Sequence, residues 1–350
     1  MYQREYDLLR KAFLASYAAT EADLLGTKGL MPMLHCSLNA AAGYPVQECF
    51  FTHSALAGAV WLCAAISAYC LIASIVGQNC SKVDQLWSVT PWLFAWLFYA
   101  HDQHSSRGQP HPRLLLVCVC ITAWGLRLTY NFWRRGGYGN LITHEEDYRW
   151  PILRKIIGHW ALFLVFNITF IASYQNFLLL AIAAPAHAVM QAKGQDRQIN
   201  TADMVLAGVF AAILAFETLC DQQHWEFHLK KYAPGLTAAS RKRHPDPDVR
   251  DGFFQSGLWK YSRHPNYFFE QAIWVCVYGF CVSHAKSVWE MVNVYILGAV
   301  LLVLLFQGSI AFGESITQKK YSKYAAYQLS TSQCIPFFPA ATRSNSKKST

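Results

Sequence analysis

Seven apolar stretches, roughly residues 55–76, 85–100, 113–132, 158–185, 203–220, 267–283 and 291–313, constrain this chain more than any motif in it. About 20 apolar residues in a helix match the hydrocarbon thickness of a bilayer. Backbone polar groups at that depth must be satisfied inside the segment itself. The expected fold is therefore all-α, a polytopic membrane helix bundle of about seven transmembrane helices. The second stretch is short, and the fourth is long enough to tilt, kink or hold a re-entrant piece. Composition agrees: 53% of residues are hydrophobic and 15% charged, where soluble domains are nearer a quarter charged. Three regions follow: residues 1–54, an N-terminal segment without an assigned role; 55–340, the membrane domain; and 341–350, a polar tail.

The net charge of +9 reads as topology rather than as a nucleic-acid footprint, because the cations lie in loops between apolar runs. Nineteen Lys and Arg sit in the loops after spans three and five and in the C-terminal region, against five in the alternate loops. The positive-inside rule puts the rich side, and with it the C-terminus, in the cytosol. Arg4, Arg10, Lys11 and Lys28 oppose placing the N-terminus on the other side. The terminal KKST sets Lys347 and Lys348 where a dilysine retrieval signal of the endoplasmic reticulum needs them. No secretory leader is expected. The eleven cysteines show no CxxC pair, and several lie inside apolar runs, so buried thiols are expected, with neither disulfides nor a metal site.

Ionisable groups at span ends carry the chemistry, because charge at membrane depth is costly and usually functional. On span three Arg127, Asn131 and Arg134 recur at i, i+4 and i+7, one helical face. On span five Glu217, Asp221 and His224 repeat that spacing. Asp84 opens span two, and the run Glu145, Glu146, Asp147, Tyr148 and Arg149 follows span three. SRHPNYFFEQ, from Ser262, opens span six with Pro265 suited to the first helical position. Each has a structural reading: Arg127 can snorkel, Asp84 can cap a helix, Glu217 can serve one interhelical hydrogen bond, and 241–251 can be a solvated loop. Yet all the stripes fall on one leaflet, which favours a shared polar cavity. Arg forks there suit phosphate, and Asn, Asp and Glu suit ribose hydroxyls or an amide. Neither GxGxxG after a strand nor GxxxxGK[ST] is present, so a nucleotide would sit among membrane helices.

The segment GLWKYSRHPNYFFEQAIW, with the later GESITQKKYSKYAAYQLSTSQCIPFFP, resembles the C-terminal half of the steroid 5-alpha-reductase-like membrane family. It is most similar to the poorly characterised branch with the RHPNYF–E motif. KVDQLW, the RL…RR segment, EDYRW and ETLCDQQHWEF extend the resemblance over roughly residues 80–340. It implies about seven spans with NADPH buried near the cytosolic face. The implied activity is reduction of an activated carbon–carbon double bond in a lipid or steroid-like enone. Carried over by motif, cofactor contacts would include Arg127, Asn131, Arg134, Asp147, Tyr148, Arg149, Asp221, Arg263, His264, Asn266, Tyr267 and Glu270. The pattern breaks at Phe269, where a glycine is usual, and in the Glu/Tyr pair that polarises the ketone. Asp84 and Tyr130 are the nearest candidates for that catalytic pair. Two alternatives stay open: a membrane methyltransferase using S-adenosylmethionine on a lipid or isoprenylcysteine, and a non-catalytic lipid-binding protein. The partners expected are the bilayer and a hydrophobic substrate.

Overall fold

The computed structural model describes residues 2–40, 46–138 and 146–340. Glu145 and the tail with Lys347 and Lys348 lie outside them. Among the described residues every regular element is helical. The N-terminal segment is itself helical: α1 (Tyr2–Leu25), α2 (Leu30–Ala40) and α3 (Val46–Thr52). There follow α4 (Ala55–Gly77), α5 (Lys82–Leu86), α6 (Thr90–Ser105), α7 (Pro112–Arg134) and α8 (Arg149–Ile157). The fourth apolar stretch is α9 (Trp160–Phe166), a π-helix (Asn167–Tyr174), α10 (Gln175–Ala183) and α11 (Pro185–Met190). The remainder is α12 (Thr201–Lys231), α13 (Ala238–Arg241), α14 (Pro247–Asp251), α15 (Pro265–Val282), α16 (Ile296–Lys320) and α17 (Tyr324–Ser330).

Five helical stretches are long and apolar enough to cross a membrane: Ala55–Gly77, Pro112–Arg134, Trp160–Met190, Gly194–Lys231 and Ile296–Lys320. The other two expected spans form as helices but fall short of that standard. α6 has only 16 residues, about 24 Å of rise, and the first two turns of α15 carry Asn266, Glu270 and Gln271. Large apolar side chains point outward from the bodies of the long helices, with Val76 80% exposed and Leu126 62%. In water such side chains are a liability; in lipid they are the normal exterior.

The chain divides into two compact units. Unit 1 comprises residues 1–210 and 274–302; unit 2 comprises 211–273 and 303–350. The core of unit 1 is built from α6, α7, α10 and α11, where Phe94, Phe98, Leu114, Ile121, Leu178 and Leu179 are fully buried. Trp124 on α7 meets Trp274 on α15 edge-to-face, with centroids 4.7 Å apart, the arrangement the ring quadrupole favours. Close approach here depends on missing side chains. A Cβ on Gly125 would stand 2.6 Å from the Ser88 carbonyl oxygen, and one on Gly298 2.2 Å from that of Ala181. Small residues at helix contacts are the usual means of tight packing in membranes.

The expectation of thiols alone is overturned at one place, because Cys36 on α2 and Cys49 on α3 form a disulfide. The burial argument was drawn from cysteines inside apolar spans. These two stand outside the spans, in a helical hairpin where α2 and α3 face one another. Nine cysteines remain free.

Candidate functional site

The polar residues singled out by the sequence are divided between the two units. In unit 2 a cluster is organised by Glu314 on α16. Its carboxylate accepts from Arg263 Nε (2.6 Å) and Nη2 (3.1 Å), Gln328 Nε2 (2.9 Å) and the Tyr324 hydroxyl (3.2 Å). His264 Nε2 adds a fifth contact at 3.1 Å. The Arg263 guanidinium is committed on its remaining side to the carbonyls of Gln328 and Thr331. Both members of the ion pair are buried. Burial, followed by the charge of Glu314, pushes the Tyr324 phenol well above its ordinary range, which keeps it a donor.

The local sequence explains how this clamp is held. The Ser262 hydroxyl accepts from the His264 N–H (3.1 Å) and donates to the Cys334 carbonyl (2.7 Å). Pro265 then starts α15 without an N–H to satisfy. The Arg263 N–H donates to the Ser332 carbonyl (2.8 Å) and the Phe337 N–H to that of Tyr261 (2.9 Å). The RHPN motif and the Tyr-rich C-terminal segment are thus two sides of one structure.

Within this frame Tyr267 stacks on His264, with centroids 5.4 Å apart, and packs edge-on against Phe306 at 4.5 Å. Glu270, Asp221 and Glu217 are buried. His224, the third member of the α12 stripe, stacks on Trp259. Phe269, the departure from the family pattern, lies flat against Phe216 of α12 at 5.5 Å, so its bulk packs helix on helix. Asn266 Oδ1 is buried without a hydrogen-bond donor.

In unit 1 the segment before α8 wraps onto the start of α5. The Asp147 N–H donates to Ser81 Oγ and the Cys80 N–H to Glu146 Oε1, each at 2.9 Å. Arg154 pairs with Glu146 at 3.0 Å, and Arg149 with Asp147 at 2.7 Å. Asp84 accepts from the Trp150 indole N–H (3.1 Å) and stands 3.8 Å from Arg149 Nη2. Burial pushes the Asp84 carboxyl above its ordinary value; Arg149 opposes that rise, and Asp147 adds to it by repulsion. On α7 Asn131 is buried and accepts from Arg134 Nε (2.9 Å). Arg127 is half-buried on the same helix. Tyr130 is set apart from Asp84 in character. It is 58% exposed, with Arg134 over its ring at 5.5 Å. Tyr148 is likewise exposed.

Asp84 gives a pH signature. The folded state holds its proton more tightly than the unfolded chain, so this group's contribution to stability is complete below its ordinary pKa and is lost as pH rises through the folded value. In a comparison of thermal unfolding from pH 4 to 8, Asp84→Asn is expected to remove that decline and be the more stable protein at pH 7. A variant that loses stability at all pH values would show that Asp84 is ionised and paired.

Sequence reasoning named Arg263 and His264 but not Glu314, Tyr324 or Gln328, which complete their cluster. Glu314 was visible in the GES motif, but its partner lies 51 positions earlier. No group of three or more His, Cys, Asp or Glu is placed to hold a metal among the described residues.

Comparison with known proteins gives two findings. The profile of a family described as "Protein of unknown function (DUF1295)", which is steroid 5-alpha-reductase-like, matches residues 70–331. An uncharacterized protein of Schizosaccharomyces pombe, C594.04c, is 33% identical over 267 residues, covering 75% of this chain and 74% of the relative. No solved structure matches.

Proposed function

From the premise that the chain belongs to the DUF1295 family, a steroid 5-alpha-reductase-like family, we propose that it is an integral membrane reductase using NADPH on an activated double bond of a lipid enone. The observation that carries the cofactor half is Asn266. Its amide oxygen is buried without a donor, at the mouth of a helix whose entrance is fixed by the Arg263–Glu314 clamp. An acceptor in that state suits a carboxamide N–H or a ribose hydroxyl, both of which a nicotinamide dinucleotide presents. His264 and Tyr267, its neighbours in the motif, stack on one another. NADPH, when bound, would supply the hydride. Asp84 is the candidate proton donor. A carboxyl group kept protonated can donate to a carbonyl oxygen as negative charge grows there, and burial moves Asp84 in that direction.

We further propose seven spans, with α6 and α15 as the short ones, and a cytosolic C-terminus in the endoplasmic reticulum. The Cys36–Cys49 bond supports an N-terminal segment on the opposite side, since disulfides persist in oxidising compartments.

The test is NADPH fluorescence titrated with purified protein. Asn266→Ala should weaken binding by about tenfold, the worth of one buried hydrogen bond to a ligand. Its thermal stability should hold, because no intramolecular donor loses its partner at Oδ1. Tight S-adenosylmethionine binding without an NADPH response would make the protein a methyltransferase instead, and binding of neither would overturn the enzymatic reading.

A further inference from the structure

The fourth apolar stretch contains a feature that the redox reading does not use. Residues Asn167–Tyr174 form a π-helix, and the Gln175 N–H continues its bonding pattern to the Phe170 carbonyl. π-helical turns are rare and concentrate at functional sites. Here the consequence is rotational. In an α-helix, residues nine apart point about 180° away from one another. Wider i→i+5 winding, at about 80° per residue, brings Asn176 back to within about 45° of Asn167.

Both asparagines therefore face α4. Asn167 Nδ2 donates to Ser74 Oγ at 2.8 Å, and the Asn176 side chain hydrogen-bonds with Cys70, one turn earlier on α4. Asn167 is 4% exposed and Asn176 1%. The amide nitrogen of each has a partner, that of Asn176 being the Ala172 carbonyl at 2.8 Å. The amide oxygen of each is buried with no donor. Ser74 cannot supply one, because its hydroxyl proton goes to the Leu71 carbonyl at 2.8 Å. The flanking walls are apolar, with Ile171, Ala172, Phe166 and Phe170 in one cluster.

Two acceptors without donors at membrane depth weaken a bundle. A neutral donor carried on an apolar body satisfies such an acceptor without bringing charge to that depth. We propose that Asn167 and Asn176 bind the hydroxyl group of a membrane lipid alcohol, whose hydrocarbon lies against Phe166 and Phe170. The hydroxyl donates its proton to one amide oxygen. Because it has only one proton, one alcohol satisfies one amide oxygen, and the other takes a second donor, a second alcohol or a water. This site stands apart from the redox reading, and its binding is measured without NADPH.

The experiment uses full-length protein in phosphatidylcholine nanodiscs and two photoactivatable diazirine probes, cholesterol and hexadecanol, each compared with its own methyl ether. The expected result is that at least one alcohol labels residues 160–183 or 63–77 about tenfold more than its ether. Which alcohol does so tells a ring lipid from a chain lipid. The Asn167→Leu/Asn176→Leu variant should abolish the difference while melting no lower than the parent, because leucine leaves no acceptor unfilled. The two single leucine variants, each retaining one amide, should each reduce the difference, and they carry the test should the pair fail to fold. Equal labelling by alcohol and ether, labelling unchanged in the variants, or no labelling would overturn the proposal and leave the amides to a buried water alone.

Discussion

Arg263→Met will lower the stability of unit 2 by about 3–5 kcal/mol, the usual cost of removing one partner from a buried ion pair. The guanidinium holds both oxygens of Glu314 and the carbonyls of Gln328 and Thr331. Its loss leaves a buried carboxylate with only His264, Gln328 and Tyr324 and strips two carbonyls of their donor. Thermal unfolding in detergent, followed by tryptophan fluorescence, reads the effect, since Trp259 lies in this unit. The double variant Arg263→Met/Glu314→Leu should recover a large part of the loss, because the uncompensated charge goes with its partner. Equal losses in the single and double variants would mean that the carbonyl contacts, and not the ion pair, hold the segment. A loss of NADPH binding in Arg263→Met would not by itself make Arg263 a cofactor contact, which is why Asn266 carries the binding test.

Much of the fold could be read from the sequence because bilayer thickness and helix rise leave few solutions for runs of apolar residues. The stripes were legible for a related reason: spacing of i, i+4 and i+7 fixes a face of a helix, and on the α12 face Glu217 and Asp221 are buried. Partnership was not legible. Trp150 and Asp84 are 66 positions apart, and nothing local to EDYRW announces that it folds back onto KVDQLW. The π-helix was hidden too. It differs from an α-helix by one residue in the hydrogen-bond register, which apolar composition does not mark. The Cys36–Cys49 bond escaped because an argument about buried thiols in spans has no bearing on a hairpin outside them.

Arg113 was weighed in the sequence as one of five loop cations, yet the structure makes it the keystone of a buried network at the start of α7. Its Nε lies 3.3 Å from Asp203, its Nη1 donates to the Asp196 carbonyl (3.2 Å), and its Nη2 reaches Ser283 Oγ (2.8 Å) and the Phe280 carbonyl. Asp203 is fully buried and also accepts from Ser283 Oγ (2.5 Å) and the Asn200 N–H (3.1 Å). One side chain therefore ties α7, the start of α12 and the end of α15 within unit 1. Arg113→Met is expected to cost about 3–5 kcal/mol, and Arg113→Lys to cost nearly as much. Lysine restores the charge, but not a planar fork with donors in three directions. Hydrogen exchange should show the loss as opening of residues 112–120, 200–207 and 276–284 together. If Arg113→Lys matched the parent protein, charge alone would suffice and the fork would be incidental.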